Sequence, residues 1–193
     1  EQGRGRLLWS RGVADLETPV AAFIKLAHGK PNTFLLGSVE GGAARGRYTI
    51  IGLDPDLVWR CRGATAELNR DARAAPFAFV PDSRPPLESL RALIAESRLE
   101  VPEGLPPMCG GLIGYLGYDM VRLMERLSEA KDTGTGVPDA ILTRPTLMVV
   151  FDSVRDEIHV VTPVRHMPGV GARHAYERAQ ERLEAVVLAL EGA

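Results

Sequence analysis

The chain has 193 residues, 45% of them hydrophobic and 25% charged, with a net charge of −2 at neutral pH. That length carries a sizeable core for one domain, and the composition is too apolar for a disordered chain. Arginines and acidic residues are interleaved and no apolar run reaches membrane-spanning length, so a basic nucleic-acid face and a membrane helix are both excluded.

Cys61 and Cys109 lie far apart and fit neither metal spacing nor a disulfide framework. Free thiols in a reducing cytoplasm are the expectation. The first residues, Glu1-Gln-Gly-Arg4, lack the apolar centre of a signal peptide. There is no initiator Met, and the chain is expected to be trimmed from a longer one.

In chain order, Leu7-Leu-Trp9 reads as a short strand. Thr18-Pro19 opens a helix, because threonine caps well and proline at the first helical position loses no hydrogen bond. Its predicted stripe is Val20, Phe23, Ile24 and Ala27, and Gly29 and Pro31 stop it. Thr33–Val39 and Arg47–Leu53 read as paired strands. Leu57–Cys61 and Ala66–Leu68 make another pair, turned at Arg62-Gly63.

Asp71–Pro86 is expected as a loop. Pro86 then opens a helix with a stripe of Leu87, Leu90 and Ile94. Pro102–Pro107 is a connector that cannot be helix interior. A glycine-spaced strand, Cys109–Tyr118, precedes a short helix with Met120, Leu123 and Met124, and Asp132–Val137 is a loop. Thr146–Phe151 and Glu157–Thr162 form the clearest hairpin, turned by Asp152–Asp156. The last helix carries a stripe of Ala172, Tyr176, Ala179, Leu183, Val186 and Leu190, with Gly192 as its cap. Strands outnumber helices and tight turns join neighbours. The fold class is therefore α+β, with mostly antiparallel β-sheets packed with helices.

Gly110-Gly111, Gly114 and Gly117 lack the spacing of a dinucleotide or Walker loop. They read instead as a strand that another backbone approaches closely. His28, His159, His166 and His174 stand at no ligand spacing and read as structural or solvated. No serine or cysteine sits in a recognisable nucleophile setting.

The hairpin Phe34–Gly52 differs. An apolar strand leads into Ser38 and Glu40, glycines follow, and a second strand returns with Arg47, Tyr48 and Thr49. A hydroxyl, a carboxylate, a guanidinium and a phenol within one hairpin suit a small zwitterion. By itself, a solvated glycine turn explains the same residues.

Four stretches resemble the N-terminal half of anthranilate synthase component I. They are Asp15–Leu26, the Phe34–Gly52 hairpin, Gly110-Gly-Leu-Ile-Gly-Tyr-Leu-Gly-Tyr-Asp119, and Met148–Asp156. They occur in order over nearly the whole chain. The resemblance implies a single N-terminal regulatory domain over 1–193, part of a larger β-sandwich with flanking helices, with the catalytic chorismate-binding domain absent from this chain. It implies that the full-length protein is a lyase of tryptophan biosynthesis. That enzyme converts chorismate and ammonia, or glutamine, to anthranilate and pyruvate with Mg²⁺. A glutamine amidotransferase subunit (component II) is the implied partner. No catalytic residue, metal ligand or cofactor is expected in this piece, which alone should be inactive. A cytoplasmic location follows.

The same resemblance implies a feedback site for L-tryptophan in a Leu-Leu-Glu-Ser motif, which here reads Leu35-Leu36-Gly37-Ser38. Ser38 matches the ligand-binding serine. Gly37 replaces a glutamate that would pair with the ligand's ammonium. Its loss is expected to weaken binding roughly ten- to a hundredfold. Glu40 is a candidate substitute. Arg47, Tyr48 and Thr49 line the second strand, with Arg47 or Tyr48 expected at the carboxylate or the indole edge. Two readings remain beside this one. They are the folate-branch sister, aminodeoxychorismate synthase component I, and a free-standing amino-acid-binding module.

Overall fold

The computed structural model describes residues 5–40, 44–128, 136–166 and 169–192, without the side chains of 38–40 and 44–45. Most of the predicted loop 132–137 and the tip of the 34–52 hairpin lie outside the described residues. In chain order the elements are β1 (Arg6–Val13), α1 (Pro19–Ala27), β2 (Phe34–Glu40), β3 (Ala44–Leu53), β4 (Leu57–Arg62), β5 (Thr65–Asn69), β6 (Val80–Pro81), α2 (Pro86–Ser97), β7 (Ile113–Leu116), β8 (Ala140–Arg144), β9 (Leu147–Asp152), β10 (Glu157–Val164) and α3 (Ala172–Glu191). Short 3-10 helices cover Pro107–Gly110 and Tyr118–Leu123. Every described strand pairing is antiparallel, so the α+β expectation holds.

Contacts divide the chain into two compact units. The first comprises Glu1–Asp54, Leu99–Gly110 and Thr146–Ala193, and the second Pro55–Arg98 and Gly111–Pro145.

The first unit holds a five-stranded sheet in the order β1-β10-β9-β3-β2, with α1 and α3 against it. Its central strand β9 is buried at every position, which explains an apolar run, Leu147-Met-Val-Val-Phe151, that does not alternate. One core joins Ile51, Leu53, Val149, Phe151 and Val160 to Ala22 and Leu26 of α1 and to Leu183 and Val186 of α3. Thr18 caps α1 as expected, its Oγ1 accepting from Ala21 N at 3.2 Å. The predicted stripe is only partly right. Val20 and Ile24 stand 58% and 64% exposed, while Ala22, Leu26 and Ala27 are buried. Two residues on a helix are about 200° apart, so choosing the 22/26 face turns 20/24 to solvent. In α3, Ala179, Leu183 and Val186 face the core as expected, but Tyr176 is exposed.

The second unit holds the sheet β6-β5-β4-β8-β7 with α2. Trp59 is fully buried in its core with Leu57, Cys61, Leu90, Leu93 and Met120. Its indole Nε1 donates to Ser89 Oγ at 3.0 Å, and that hydroxyl donates to Asp82 Oδ2 at 2.6 Å. In α2 the buried face is Leu90 and Leu93, and Ile94 is exposed.

The glycine-spaced strand is shorter than predicted: Cys109 and Gly110 sit in a 3-10 turn, and only Ile113–Leu116 pairs, against β8. Of its glycines, Gly114 and Gly117 meet another backbone closely as expected, whereas a Cβ on Gly111 would meet nothing within 4 Å among the described residues. A Cβ on Gly114 would overlap the carbonyl of Ile141, and one on Gly117 would come 2.6 Å from Asp139 O. Strand β8 itself has no counterpart in the predicted elements. Its five residues are bounded by Pro145 and alternate too briefly to stand out.

Candidate functional site

The β2–β3 hairpin runs in regular register from Phe34↔Gly52 to Gly37↔Thr49, then shifts to Val39↔Arg45. Between those pairs β2 has one residue, Ser38, and β3 has three, Gly46, Arg47 and Tyr48. Such a bulge bends its strand and re-aims the side chains it carries. Ser38 therefore stands on β2 opposite the bulge that bears Arg47 and Tyr48. Glu40 lies two residues further, paired with Ala44. The side chains of Ser38 and Glu40 are outside the described residues.

Gly37 and Thr49 are direct cross-strand partners, and Thr49 pairs in turn with Phe151 on β9. Among the described residues a Cβ on Gly37 would meet only Thr49 Oγ1, at 3.8 Å. Glycine here is demanded neither by a left-handed backbone nor by a crowding neighbour. A strand glycine of that kind costs stability and leaves room for something else to approach.

Arg47 is engaged by Asp152 at the end of β9. Its Nε donates to both carboxylate oxygens at 3.0 and 3.1 Å, and its Nη2 donates to Oδ2 at 2.7 Å. The guanidinium Cζ stands 4.8 Å from the centre of the Tyr48 ring. The Asp152 side chain is 2% exposed and that of Arg47 is 42% exposed. The Arg47 hydrogen bonds hold the Asp152 carboxyl below the usual carboxylate range against the opposing effect of burial, and raise the guanidinium in turn.

The β9–β10 turn is fastened to the same bulge. Ser153 N donates to Arg47 O at 2.9 Å, and Ser153 Oγ donates to the carbonyls of Arg47 and Gly46 at 3.1 and 3.3 Å. Asp152 Oδ1 also accepts from Val154 N at 3.1 Å, closing its own turn. So the structure brings Gly37, Arg47, Tyr48 and Thr49 together around the β2–β3 bulge and adds Asp152 and Ser153. From the sequence these two read only as turn residues, because nothing local announces that β3 lies beside β9.

Elsewhere in this unit a cleft of about 630 Å³ opens between β1, α1 and the end of α3, over Ser10, Gly12, Ile158 and Leu190. Lys25 bridges it, donating to Glu17 Oε2 at 2.7 Å and to the carbonyls of Gly192 and Leu190 at 3.0 and 3.4 Å. None of the hairpin residues lines it.

Among the described residues no three His, Cys, Asp or Glu side chains are grouped to hold a metal ion. His159 is buried, with Nε2 3.3 Å from Glu157 Oε2, while His28, His166 and His174 are exposed. Cys61 and Cys109 are free and buried. No described helix is long and apolar enough to cross a membrane.

No protein-family model matches the chain. Anthranilate synthase component 1 of Cereibacter sphaeroides is 49% identical over 181 residues, covering 94% of this chain. The chain belongs to the anthranilate synthase component 1 family. The family member from Mycolicibacterium smegmatis is 36% identical over 185 residues and 92% of the chain. The chain spans about a third of the length of these curated relatives, 36% and 34% respectively. The crystal structure of anthranilate synthase component I from Streptococcus pneumoniae TIGR4 shares the fold, with a TM-score of 0.57 over 95% of this chain and 39% of its own, at 21% identity.

Proposed function

We propose that this chain is the N-terminal, regulatory portion of an anthranilate synthase component I, and that the β2–β3 bulge is its L-tryptophan feedback site. In this reading the whole protein converts chorismate and ammonia, drawn from glutamine by an amidotransferase subunit, to anthranilate and pyruvate. The reacting groups and the Mg²⁺ seat belong to the part of the protein beyond these residues. The chain then contributes no step of the chemistry. It supplies an effector site whose occupancy is coupled to chorismate binding, and that coupling is reciprocal.

The observation that carries the regulatory reading is the open strand glycine beside a bulge. A Cβ on Gly37 would meet, among the described residues, only Thr49 Oγ1 within 4 Å, and Ser38 stands opposite Arg47 and Tyr48. A strand surface with the Thr49 hydroxyl, the Tyr48 phenol and open space at Gly37 suits an aromatic amino acid, whose ring needs area and whose head group needs hydrogen bonds. Identity to relatives named for anthranilate synthase supports the choice of reaction.

The test uses the full-length protein with chorismate, glutamine and Mg²⁺. Anthranilate is the expected product, and aminodeoxychorismate would assign the protein to the folate branch. Tryptophan is expected to inhibit, and Ser38→Ala to raise the inhibitory concentration. An inhibition constant unchanged by Ser38→Ala removes Ser38 from the site.

A further inference from the structure

We infer that Asp152 is a positioning residue of this site: through the Arg47 guanidinium it fixes Tyr48 and the β3 bulge opposite Ser38, and Arg47 is a strut rather than the receptor of a ligand carboxylate. The inference rests on the effector reading above.

Two of the three nitrogens of Arg47 are already committed to Asp152, in three contacts between 2.7 and 3.1 Å. The carboxylate that holds them is nearly inaccessible to solvent and is itself anchored by Val154 N. An incoming ligand carboxylate would meet a neutralised ion pair, not a free cation. Swinging Arg47 away to greet it would strand a buried aspartate charge, which is among the costlier changes a protein can make.

What the pair does instead is mechanical. The guanidinium lies over the Tyr48 ring at 4.8 Å, so the ring is held from one side by a group that Asp152 grips through two nitrogens. Tyr48 pairs directly with Asp152 across β3 and β9, and Ser153 ties the backbone of residues 46 and 47 to the same turn. The Arg47–Asp152 pair and the Ser153 hydrogen bonds thus add side-chain ties to the strand pairing at this bulge. A bulge so fixed presents Tyr48 in one geometry opposite the backbone of Ser38, which is what a site needs to bind without first ordering itself.

The test compares two ligands on the full-length enzyme, L-tryptophan and L-tryptophanamide, which lacks the carboxylate. Each inhibition is measured against that variant's own uninhibited rate. As a strut, Arg47→Gln weakens both ligands by the same factor, on the order of tenfold. Asp152→Asn does likewise, and the double variant is no worse than either single one, because both break the same contact. Selective loss of tryptophan with the amide spared makes Arg47 the carboxylate receptor and overturns the inference. So does tighter tryptophan inhibition in Asp152→Asn, additive losses in the double variant, or no change in Arg47→Gln. If Asp152→Asn does not fold, the half-exposed Arg47→Gln carries the ligand comparison alone. A wild-type enzyme indifferent to tryptophan removes the effector reading itself, an outcome distinct from all of these.

Discussion

Gly37 stands directly across from Thr49 on paired strands, and a methyl group built on it would reach, among the described residues, only Thr49 Oγ1, at 3.8 Å. That is ordinary contact. Gly37→Ala is therefore expected to fold and to gain about 0.5–1 kcal/mol, because glycine in a strand interior gives up more chain entropy than alanine. Denaturant titration reads this, and a loss of stability would mean that the notch is structurally required. Gly37→Glu in the full-length enzyme would place a carboxylate in the same notch. If the notch receives the tryptophan ammonium, inhibition tightens roughly tenfold or more.

Gly114 presents the opposite case. Its Cβ position is occupied by the Ile141 carbonyl on β8. Gly114→Ala must push β7 off its partner, with an expected cost on the order of 1–3 kcal/mol. Hydrogen exchange at β7 and β8 amides should rise in step, and full protection in the variant would contradict the close approach.

Asp82 accepts from Arg84 Nε and Nη2 at 3.0 and 2.7 Å and from Ser89 Oγ at 2.6 Å. The Arg84 hydrogen bonds, helped by Ser89, hold its carboxyl well below the usual aspartate range. The folded protein therefore binds this proton less readily than the unfolded chain does. The stability it contributes is complete above an ordinary aspartate pKa of about 3.9 and drains away as pH falls below that value toward the folded one. Asp82→Asn should be less stable than wild type at pH 7, and the difference should shrink steadily below about pH 4. A gap independent of pH would show that Asp82 acts by shape alone.

Burial pushes the Cys61 thiol up to about 11 and the Cys109 thiol up to about 12. Neither provides thiolate near neutral pH, and neither is reachable in the folded protein. A thiol reagent at pH 8 should label neither in buffer and both in denaturant. Rapid labelling of either one in the native protein would place it at an opening surface.

Local chemistry was legible wherever it acts within a few residues. Thr18-Pro19 announced the start of α1, Asp152–Asp156 announced its turn, and the wide glycine spacing around Gly114 announced a crowded strand. Helix faces were only half legible. Val20/Ile24 and Ala22/Leu26 are both apolar pairs at helical spacing, and only the neighbouring sheet decides which is buried.

From the order of its residues alone, this polypeptide determined an α+β fold, the hairpin that carries Gly37 and Ser38, and the likeness that led to its family. Caps, turns and alternation are interactions between near neighbours, and a chain states them openly. Tertiary structure alone decided that Asp152 grips Arg47, 105 positions away, and that Ser153 ties down the bulge beside Tyr48. Those contacts exist because β9 inserts between β3 and β10, and a sheet's order is chosen by burying the whole core at once rather than by any local signal.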